Sequence, residues 1–330
     1  MVPMQNKIEL LTLELLNDKK SLVEIDYWLR VFNWENGWHY DLDIIWILKK
    51  IKEMNLRRGS TIIDAGAGLG ITQFVLASKG FNIISLDFTV RKQPKFSKGI
   101  FDIEIYNTDL GDYDHEYMKW MNYGENQQIA NNNFIWHYLK KLAPNTLYDR
   151  TKNTRRTLFY LKKSITNKLN LFYELEKRKD HSSYGKIIFV RGTFNNIPLE
   201  NNRADALVSI SAFEHNTYKE MPGSILEFER VIKKESPMII TTSASDKDDW
   251  YFEPAKSWIF SVDTLSKWFD INVNGIKKND ILSSLVKIRE SRELQHRMSP
   301  FYKYNKENGL PFGRLQDAQY IPVGILKFKR

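Results

Sequence analysis

One stretch of this chain carries more information than any other: Thr61-Ile62-Ile63-Asp64-Ala65-Gly66-Ala67-Gly68-Leu69-Gly70. Its apolar, β-branched start predicts a buried strand, because such residues stand directly before turn-forming ones. Glycine at every second position then predicts a tight loop in which no side chain keeps a ligand away from the backbone. A helix over about 71–78 is expected next, since Lys79-Gly80 is a typical helix end. A strand, a glycine loop and a helix in this order predict a nucleotide-like cofactor.

The spacing of the glycines separates two classes of cofactor. Dinucleotide sites use G-x-G-x-x-G, whereas here the third glycine comes one residue earlier and Asp64 precedes the first. The order D-x-G-x-G-x-G resembles motif I of the class I S-adenosylmethionine-dependent methyltransferases. Over about 41–86, 186–270 and the final dozen residues, the chain is similar to their type 11 group. Their cofactor carries an ammonium and a sulfonium group, so an acid beside the glycines is electrostatically favourable. The alternative is a glycine-rich turn that binds nothing.

Further acids and loops follow in the order that this family shows. A second predicted strand, 81–86, ends at Asp87, an acid placed to bind both ribose hydroxyls of a nucleotide. A third, 186–191, leads into 192–199, which resembles the family's G-D-x-x-x-L-P-F turn with Thr193 in place of the acid. The resemblance implies these cofactor-binding residues: Asp64, Gly66, Gly68, Gly70, Asp87, Phe88, Thr193 and Phe194.

The fourth predicted strand begins at Ala204 and leads into the pair Glu214-His215, which resembles the family's strand with a terminal E-H. Ser211, near the end of this strand, is a further cofactor contact that the resemblance implies. The pattern is completed by a helix over 226–234, a fifth strand over 238–242 and an antiparallel edge strand over 320–327.

These elements predict an α/β fold, the Rossmann-like class I methyltransferase fold, with a seven-stranded, mostly parallel sheet, helices on both faces and a helical insertion. We expect an N-terminal helical segment over 1–55 and a methyltransferase core over 56–90 and 186–330. A basic, mostly helical insertion over 91–185, a lid or substrate region, stands where a short crossover would suffice. An additional excursion is expected near 276–319.

Composition restricts the chemistry and the location. The 330 residues contain no cysteine, which excludes disulfides, thiolate metal sites, cysteine-adduct methylation of pyrimidines and radical chemistry on a cysteine-held iron–sulfur cluster. The net charge is +9, and residues 139–186 alone hold 13 Lys or Arg against 4 Asp or Glu. The positive excess therefore lies in the insertion. The sequence shows neither a signal-peptide pattern nor an apolar run of membrane-span length, so we expect a cytoplasmic protein.

An amphipathic helix is predicted inside the insertion, because apolar residues recur there at spacings of three and four. They are Leu158, Leu161, Ile165, Leu169, Phe172 and Leu175. We favour the interpretation that this face packs on the core. Its basic surroundings leave open a peripheral contact with an anionic membrane or an acidic polymer. Nucleic acid is less favoured, because the fourth strand lacks the Asn/Asp-Pro-Pro-Tyr of base-amino methyltransferases.

Methyl transfer from a sulfonium needs an aligned acceptor and, for a hydroxyl acceptor, a base that removes its proton. His215 is the first candidate base, since it stands at the carboxyl end of a central strand, where ligands bind in open α/β sheets. The alternative is a structural histidine that caps the next turn. His39 is the second candidate base. Beside it, Trp38 and Tyr40 resemble the aromatic residue that often covers the cofactor, with core packing as the alternative.

The acceptor is the part of the function that the sequence determines least. We expect O-methylation of a small-molecule or saccharide-type acceptor, phosphorylated or lipid-linked forms included, because the chain has 9 Trp, 16 Tyr and a localised positive charge. The alternatives are an RNA methyltransferase that uses the insertion and a cofactor-binding scaffold without catalysis. No metal site is predicted, since the acids of 245–251 are interpreted as an exposed polar loop rather than as Mg²⁺ ligands.

Overall fold

The computed structural model describes residues 5–32, 34, 36–68, 70–89, 97–106, 166, 169, 172–173, 183–272, 275–298, 310 and 314–330. Within these residues, ten strands form one sheet. In chain order they are β1 (Lys7–Leu10), β2 (Thr61–Ala65), β3 (Asn82–Asp87), β4 (Ile103–Tyr106), β5 (Ile187–Arg191), β6 (Ala206–Ile210), β7 (Pro237–Ser245), β8 (Trp250–Phe252), β9 (Ser257–Ser261) and β10 (Ile321–Phe328).

The helices of the same residues are α1 (Lys19–Phe32), α2 (Tyr40–Glu53), α3 (Thr72–Ser78), α4 (Ser97–Ile100), α5 (Met221–Val231), α6 (Val262–Phe269), α7 (Lys278–Glu290) and α8 (Arg292–Arg297). Short 3-10 turns lie at Leu13–Asn17, Phe213–His215, Tyr218–Glu220, Glu253–Ala255 and Leu315–Asp317. Helix α5 corresponds to the helix predicted over 226–234. It begins earlier, at Met221, because Pro222 in its first turn suits a helix start.

The order of the strands confirms the predicted fold class. It is β1-β10-β7-β6-β2-β3-β5-β4, with the short hairpin of β8 and β9 attached to the end of β7. The six strands from β7 to β4 run parallel, and β10 runs antiparallel to both of its neighbours. The sequence predicts seven strands, whereas the described residues hold ten. The edge strand β1 and the two strands of the hairpin account for the difference.

Strand β10 does not lie at the sheet edge, contrary to the prediction. β1 pairs with it on the side away from β7, with Lys7 opposite Leu326. The amide of Leu11 donates to the carbonyl of Pro322 at 3.1 Å, so the proline takes part in this pairing as an acceptor. The N-terminal segment 1–55 is therefore more than helical, because it also supplies the strand that covers β10.

Helix α2 is buried along most of its length and packs against β6, β7 and β10. Its close approach depends on Gly324 of β10, because a Cβ at this position would lie 2.5 Å from the indole of Trp46. The chain passes from α2 directly into β2, so the end of the helix lies near the start of that strand. The start of α2, with His39 and Asp43, therefore faces the carboxyl ends of the parallel strands.

Most of the predicted insertion, 91–185, lies outside the described residues. In its described part, β4 pairs in parallel with β5, so the sheet extends into the range that the sequence assigns to the insertion. Of the predicted apolar helix face, Leu169 and Phe172 are described, and they expose 63% and 62% of their surface. Among the helices that the structure describes, none combines the length and apolar character needed to cross a bilayer.

Candidate active site

The glycine loop, residues 66–70, follows the carboxyl end of β2 and contacts the neighbouring strand β3. Gly66 and Gly68 have φ angles of +71° and +46°, in the left-handed region that glycine adopts at little cost. The amides of Gly66 and Ala67 donate to the carbonyl of Leu86 at 2.9 and 3.1 Å. These bonds fix the loop against the end of β3.

Two more predicted residues border the loop. Asp64, at the end of β2, is buried. The amide of Gly70 donates to the carbonyl of Ala67 at 2.9 Å, and its carbonyl accepts a 2.7 Å hydrogen bond from the Gln73 side chain. The turn into α3 is therefore closed by hydrogen bonds of its own residues.

Asp87 stands at the end of β3, directly beside the glycine loop. Its Oδ2 accepts a 2.8 Å hydrogen bond from the amide of Gly68, and its Oδ1 accepts from the amide and hydroxyl of Thr89 at 2.9 and 2.7 Å. The carbonyl of the following Phe88 accepts from Arg191 Nε at 3.0 Å. The carboxylate is thus fixed in orientation, and Oδ2 has the capacity to accept a second bond from a ligand hydroxyl.

The loop 192–199 is held in place by α5. Arg230 donates to the carbonyls of Ile197 and Leu199, both at 2.8 Å. Glu227 accepts the amide of Ile197 at 2.8 Å and is itself paired with Arg230. The sequence predicted only that Glu227 and Arg230 lie on a helix. In the structure they fix this loop.

Phe194 on this loop reaches the glycine loop, as predicted for a residue of the cofactor site. A Cβ added to Gly66 would lie 2.8 Å from Phe194 Cζ, so the two are in direct contact. The ring packs edge-on against Phe228 of α5, with 5.1 Å between centroids. Thr193 accepts the amide of Asn196 at 3.3 Å, which makes the loop a narrow turn.

The turn after β6 carries two predicted site residues, Ser211 and His215. Ser211 has a φ of +42°, and its buried Oγ has no hydrogen-bond partner among the described residues. Backbone strain of this kind at a strand end is typical of binding sites. Ala212 touches the glycine loop, since a Cβ on Gly66 would lie 2.4 Å from Ala212 Cβ. The half-buried His215 follows, and its Nδ1 lies 3.0 Å from the carbonyl oxygen of Lys256.

His39 lies in a buried cluster that the sequence did not predict. Its Nδ1 is 2.6 Å from Asp43 Oδ2, and the two side chains expose 4% and 0%. Glu214 accepts hydrogen bonds from Thr242 Oγ1 at 2.9 Å and Ser243 Oγ at 3.3 Å. Burial raises the pKa of Glu214 to about 7, against the opposing effects of its hydrogen bonds and of His39, while Asp43 adds to the rise. The spacing of four between His39 and Asp43 is the one local signal for this cluster.

The aromatic residues before the first parallel strand are packed into the protein. Trp38 is 3% exposed, and its Nε1 donates to the hydroxyl of Tyr320 at 3.1 Å. The ring of Tyr40 covers Gly37, where a Cβ would lie 2.4 Å from Tyr40 Cδ1. Core packing explains the position of Trp38, and the covering of the cofactor by Trp38 or Tyr40 stays a prediction.

The loop after β7 is less exposed and more ordered than its composition predicts. Asp249 Oδ1 accepts the amide of Ser261 at 2.6 Å, and its Oδ2 accepts the hydroxyl of Tyr218 at 2.5 Å. Ser245 ends β7, and Trp250 and Tyr251 begin β8, so only the middle part, 246–249, is a loop. In the part of the chain that the structure describes, no three His, Asp or Glu side chains gather as a metal site would require.

The residues around the glycine loop fit S-adenosylmethionine. Among the described atoms outside the neighbouring residues, none lies closer than 4.0 Å to the place where a Cβ of Gly68 would stand, and Asp87 Oδ2 is one of the two at that distance. An open volume therefore borders both the backbone and a carboxylate oriented for hydroxyl groups. The partnerless Ser211 Oγ lies at the end of the adjacent strand β6. Such a buried polar atom without a partner is typical of a ligand site.

Comparison with known proteins agrees with this geometry. A family model described as a methyltransferase domain matches residues 167–240. That range begins in the insertion and runs through β5, the 192–199 loop, β6 and α5 into β7. No curated protein matches the sequence.

The solved structures that are similar to the chain include the following three. One is a protein from Galdieria sulphuraria that is proposed to be a sarcosine dimethylglycine methyltransferase, with 15% identity, 87% of this chain and 84% of that chain covered, and a TM-score of 0.42. The second is the YcgJ protein from Bacillus subtilis. It is 12% identical, the match covers 85% of this chain and 95% of that chain, and the TM-score is 0.37. The third is the 1,6-didemethyltoxoflavin-N1-methyltransferase of Burkholderia thailandensis, whose structure contains bound S-adenosylhomocysteine. It is 10% identical, the match covers 84% of this chain and 74% of that chain, and the TM-score is 0.40.

The family match, the parallel sheet and the glycine loop facing Asp87 lead to one conclusion. The chain carries a methyltransferase domain, which the family model matches over residues 167–240, and it is an S-adenosylmethionine-dependent methyltransferase.

Proposed function

We propose that this methyltransferase acts on a hydroxyl group of a small-molecule or saccharide-type acceptor, phosphorylated or lipid-linked forms included, and that His215 is its base. The observation that carries the proposal is the 3.0 Å contact between His215 Nδ1 and the carbonyl of Lys256. A carbonyl oxygen only accepts, so Nδ1 carries the proton and Nε2 of the neutral imidazole carries the lone pair. The contact therefore sets the tautomer that a base requires.

The acceptor would lie against the aromatic hairpin next to His215. Lys256 belongs to the turn between β8 and β9, and Tyr251 of β8 faces Trp258 of β9 with 5.4 Å between ring centroids. Tyr218, in the turn that follows His215, packs on the same Trp258 at 4.6 Å. Aromatic rings with polar edges suit a ligand that has both apolar faces and hydroxyl groups, as a sugar has. These contacts support a saccharide-type acceptor.

Bound S-adenosylmethionine would supply an electrophilic methyl group on its sulfonium, and the thioether would be the leaving group when the acceptor oxygen takes the methyl. Asp87 and the glycine loop would hold the adenosine part, and Ala212 and Phe194 border the space beside that loop. His215 Nε2 takes the hydroxyl proton as the new bond forms, which keeps positive charge from building up on the acceptor oxygen.

The test is transfer of a labelled methyl group from S-adenosylmethionine to a panel of hydroxylated acceptors, with amine acceptors alongside. His215→Gln should lower turnover on the best acceptor by about 10²–10⁴-fold, the usual contribution of a general base, and leave cofactor affinity nearly unchanged. The matched control is His296→Gln, since His296 is exposed on α8. An unchanged rate in His215→Gln removes this residue from the base role, and exclusive N-methylation refutes the hydroxyl acceptor.

The same assay also tests two alternative functions, RNA methylation and a role as a non-catalytic scaffold. The 13 Lys or Arg within 139–186 favour an RNA acceptor, and most of that segment lies outside the described residues. Methylation of RNA, with binding that weakens steeply as salt is raised, would support that alternative. Cofactor binding without methyl transfer across the whole panel would instead support a non-catalytic scaffold.

A further inference from the structure

The cluster of His39, Asp43 and Glu214 is a set of ionisable groups without contact with bulk water. Glu214 is 2% exposed, and the imidazole and carboxyl of the His39–Asp43 pair expose 4% and 0%. Asp43 Oδ2 is paired with His39, whereas its Oδ1 has no hydrogen-bond partner among the described residues. The cluster therefore contains two acids and one base in a place where unbalanced charge is costly.

Counting charge shows which protonation state the cluster favours. The cluster holds one base and two acids, so a positive charge within it can balance at most one of the acids. Ionisation of Glu214 therefore adds uncompensated negative charge to the interior. Burial accordingly raises the pKa of Glu214 to about 7, while the hydroxyls of Thr242 and Ser243 on β7 hold its carboxyl in place in either state. The free protein thus holds a proton near neutrality that a nearby positive charge could displace.

The cluster borders the cofactor loop through a single short segment. Ala212 touches Gly66, as the 2.4 Å position of an added Cβ shows, and Glu214 follows Ala212 by two residues in the same turn. Charge bound over the glycine loop therefore acts on Glu214 through protein, where electrostatic interactions are screened less than in water.

We propose that the buried cluster of His39, Asp43 and Glu214 distinguishes the methyl donor from its demethylated product by charge, releasing a proton when the donor binds and retaining it when the product binds. The two ligands share the ammonium, the carboxylate and the adenosine. They differ in the sulfonium, which gives the donor one more positive charge. An ionised Glu214 balances that charge, and after methyl transfer the sulfonium is gone and the carboxylate takes its proton back.

Other charged groups near the cluster are already paired. Asp41 on the same helix is bound by Arg297 of α8 at 2.6 Å, and Arg297 also binds Asp26 of α1. His215 follows Glu214 in the turn and bonds with the carbonyl of Lys256. Against His39 lies the ring of Tyr320, with 5.9 Å between centroids. Glu214 is therefore the group in this set from which we expect the proton to come.

The inference rests on the cofactor and not on the proposed acceptor, so it is tested by binding alone. Calorimetric titration of S-adenosylmethionine and of S-adenosylhomocysteine into the whole protein, in two buffers of different ionisation enthalpy at pH 6.5, counts the protons exchanged. We expect about 0.5–0.8 proton released with S-adenosylmethionine, since Glu214 is about three-quarters protonated at this pH, and close to none with S-adenosylhomocysteine. The affinity ratio of donor to product should also rise with pH, by up to about tenfold per unit below pH 7.

Variants identify the group that titrates. Glu214→Gln keeps the shape and removes the proton, so both ligands should then bind without proton release and with a ratio independent of pH. Glu290→Gln, at an exposed position of α7, is the matched charge control and should behave as the natural protein. Proton release that persists in Glu214→Gln and disappears in His39→Gln would overturn the assignment to Glu214. Donor binding without any proton release would overturn the inference, whereas absence of donor binding would contradict the cofactor itself.

Discussion

The amide of Gly68 donates a 2.8 Å hydrogen bond to Asp87 Oδ2, and this bond joins the glycine loop to the end of the next strand. Because Thr89 fills the acceptor positions of Oδ1, the carboxylate cannot turn away from the loop without breaking three hydrogen bonds. The glycine loop and this carboxylate, which we predict to hold the cofactor, are thus joined directly by a hydrogen bond.

Glu214 should make the stability of the protein depend on pH. Its pKa of about 7 lies above the ordinary value of 4.5, so its contribution is fully present below pH 4.5 and is lost as pH rises to about 7. The loss amounts to at most about 3 kcal/mol. Relative to Glu214→Gln, the free energy of unfolding of the natural protein should fall over this interval, as measured by urea unfolding at several pH values. Parallel curves for the two proteins would show that Glu214 does not titrate abnormally.

Gly66→Ala should disturb the site through a collision. The new Cβ would stand 2.4 Å from Ala212 Cβ and 2.8 Å from Phe194, in addition to the cost of a φ of +71°. We expect a loss of about 2–4 kcal/mol in unfolding free energy and weaker cofactor binding. Gly59→Ala is the control, since Gly59 has a φ of +84° and nothing lies within 4 Å of an added Cβ. Equal effects of the two substitutions on cofactor affinity would argue against a specific role for Gly66.

Arg230→Lys should loosen the loop that carries Thr193 and Phe194. Lysine cannot bond the carbonyls of Ile197 and Leu199 and the carboxylate of Glu227 at the same time, as the planar guanidinium does. Amide hydrogen exchange should speed up across 192–199, and cofactor affinity should fall by about three- to tenfold, equal to 0.6–1.4 kcal/mol. Arg292→Lys on the exposed start of α8 serves as control. Unchanged exchange in the loop would mean that α5 does not hold it.

Gly324→Ala should destabilise the contact between α2 and the sheet. The added methyl group would lie 2.5 Å from the Trp46 indole, which is enclosed by β10 and by a hydrogen bond to Glu9. We expect a loss of about 1–3 kcal/mol in unfolding free energy, and Trp46→Leu should restore part of it in the double variant. Additive losses in the double variant would contradict the proposed collision.

The parts of the fold that the sequence predicted are those with local causes. Glycine spacing, strand-end acids and apolar runs lie within a few residues of one another, so the loop at 66–70 and Asp87 lie side by side as predicted. The covering of β10 by β1 could not be predicted in this way, because Lys7 and Leu326 are at opposite ends of the chain.

The candidate site likewise combines features with local causes and features that depend on tertiary packing. Ser211 directly follows the last residue of β6, whereas His215 does not lie on the strand end as predicted, because β6 ends at Ile210 and His215 belongs to the 3-10 turn Phe213–His215. The contact of His39 with Asp43 was visible as a spacing of four, but the approach of α2 to Glu214 depends on tertiary packing around Gly324. The residues 245–251 look like a polar loop by composition, whereas the pairing of β8 with β9 places the last two of them, Trp250 and Tyr251, in a strand.

The most direct test of the cofactor site is calorimetric titration of S-adenosylmethionine into the natural protein, Asp87→Ala and Asp263→Ala, the last being an exposed residue of α6. The account predicts one binding site per chain. Affinity should fall at least about tenfold in Asp87→Ala, because charged hydrogen bonds to the ligand and to the amide of Gly68 are lost, and should stay unchanged in Asp263→Ala. Absence of binding by the natural protein, or equal affinity in Asp87→Ala, would contradict the account.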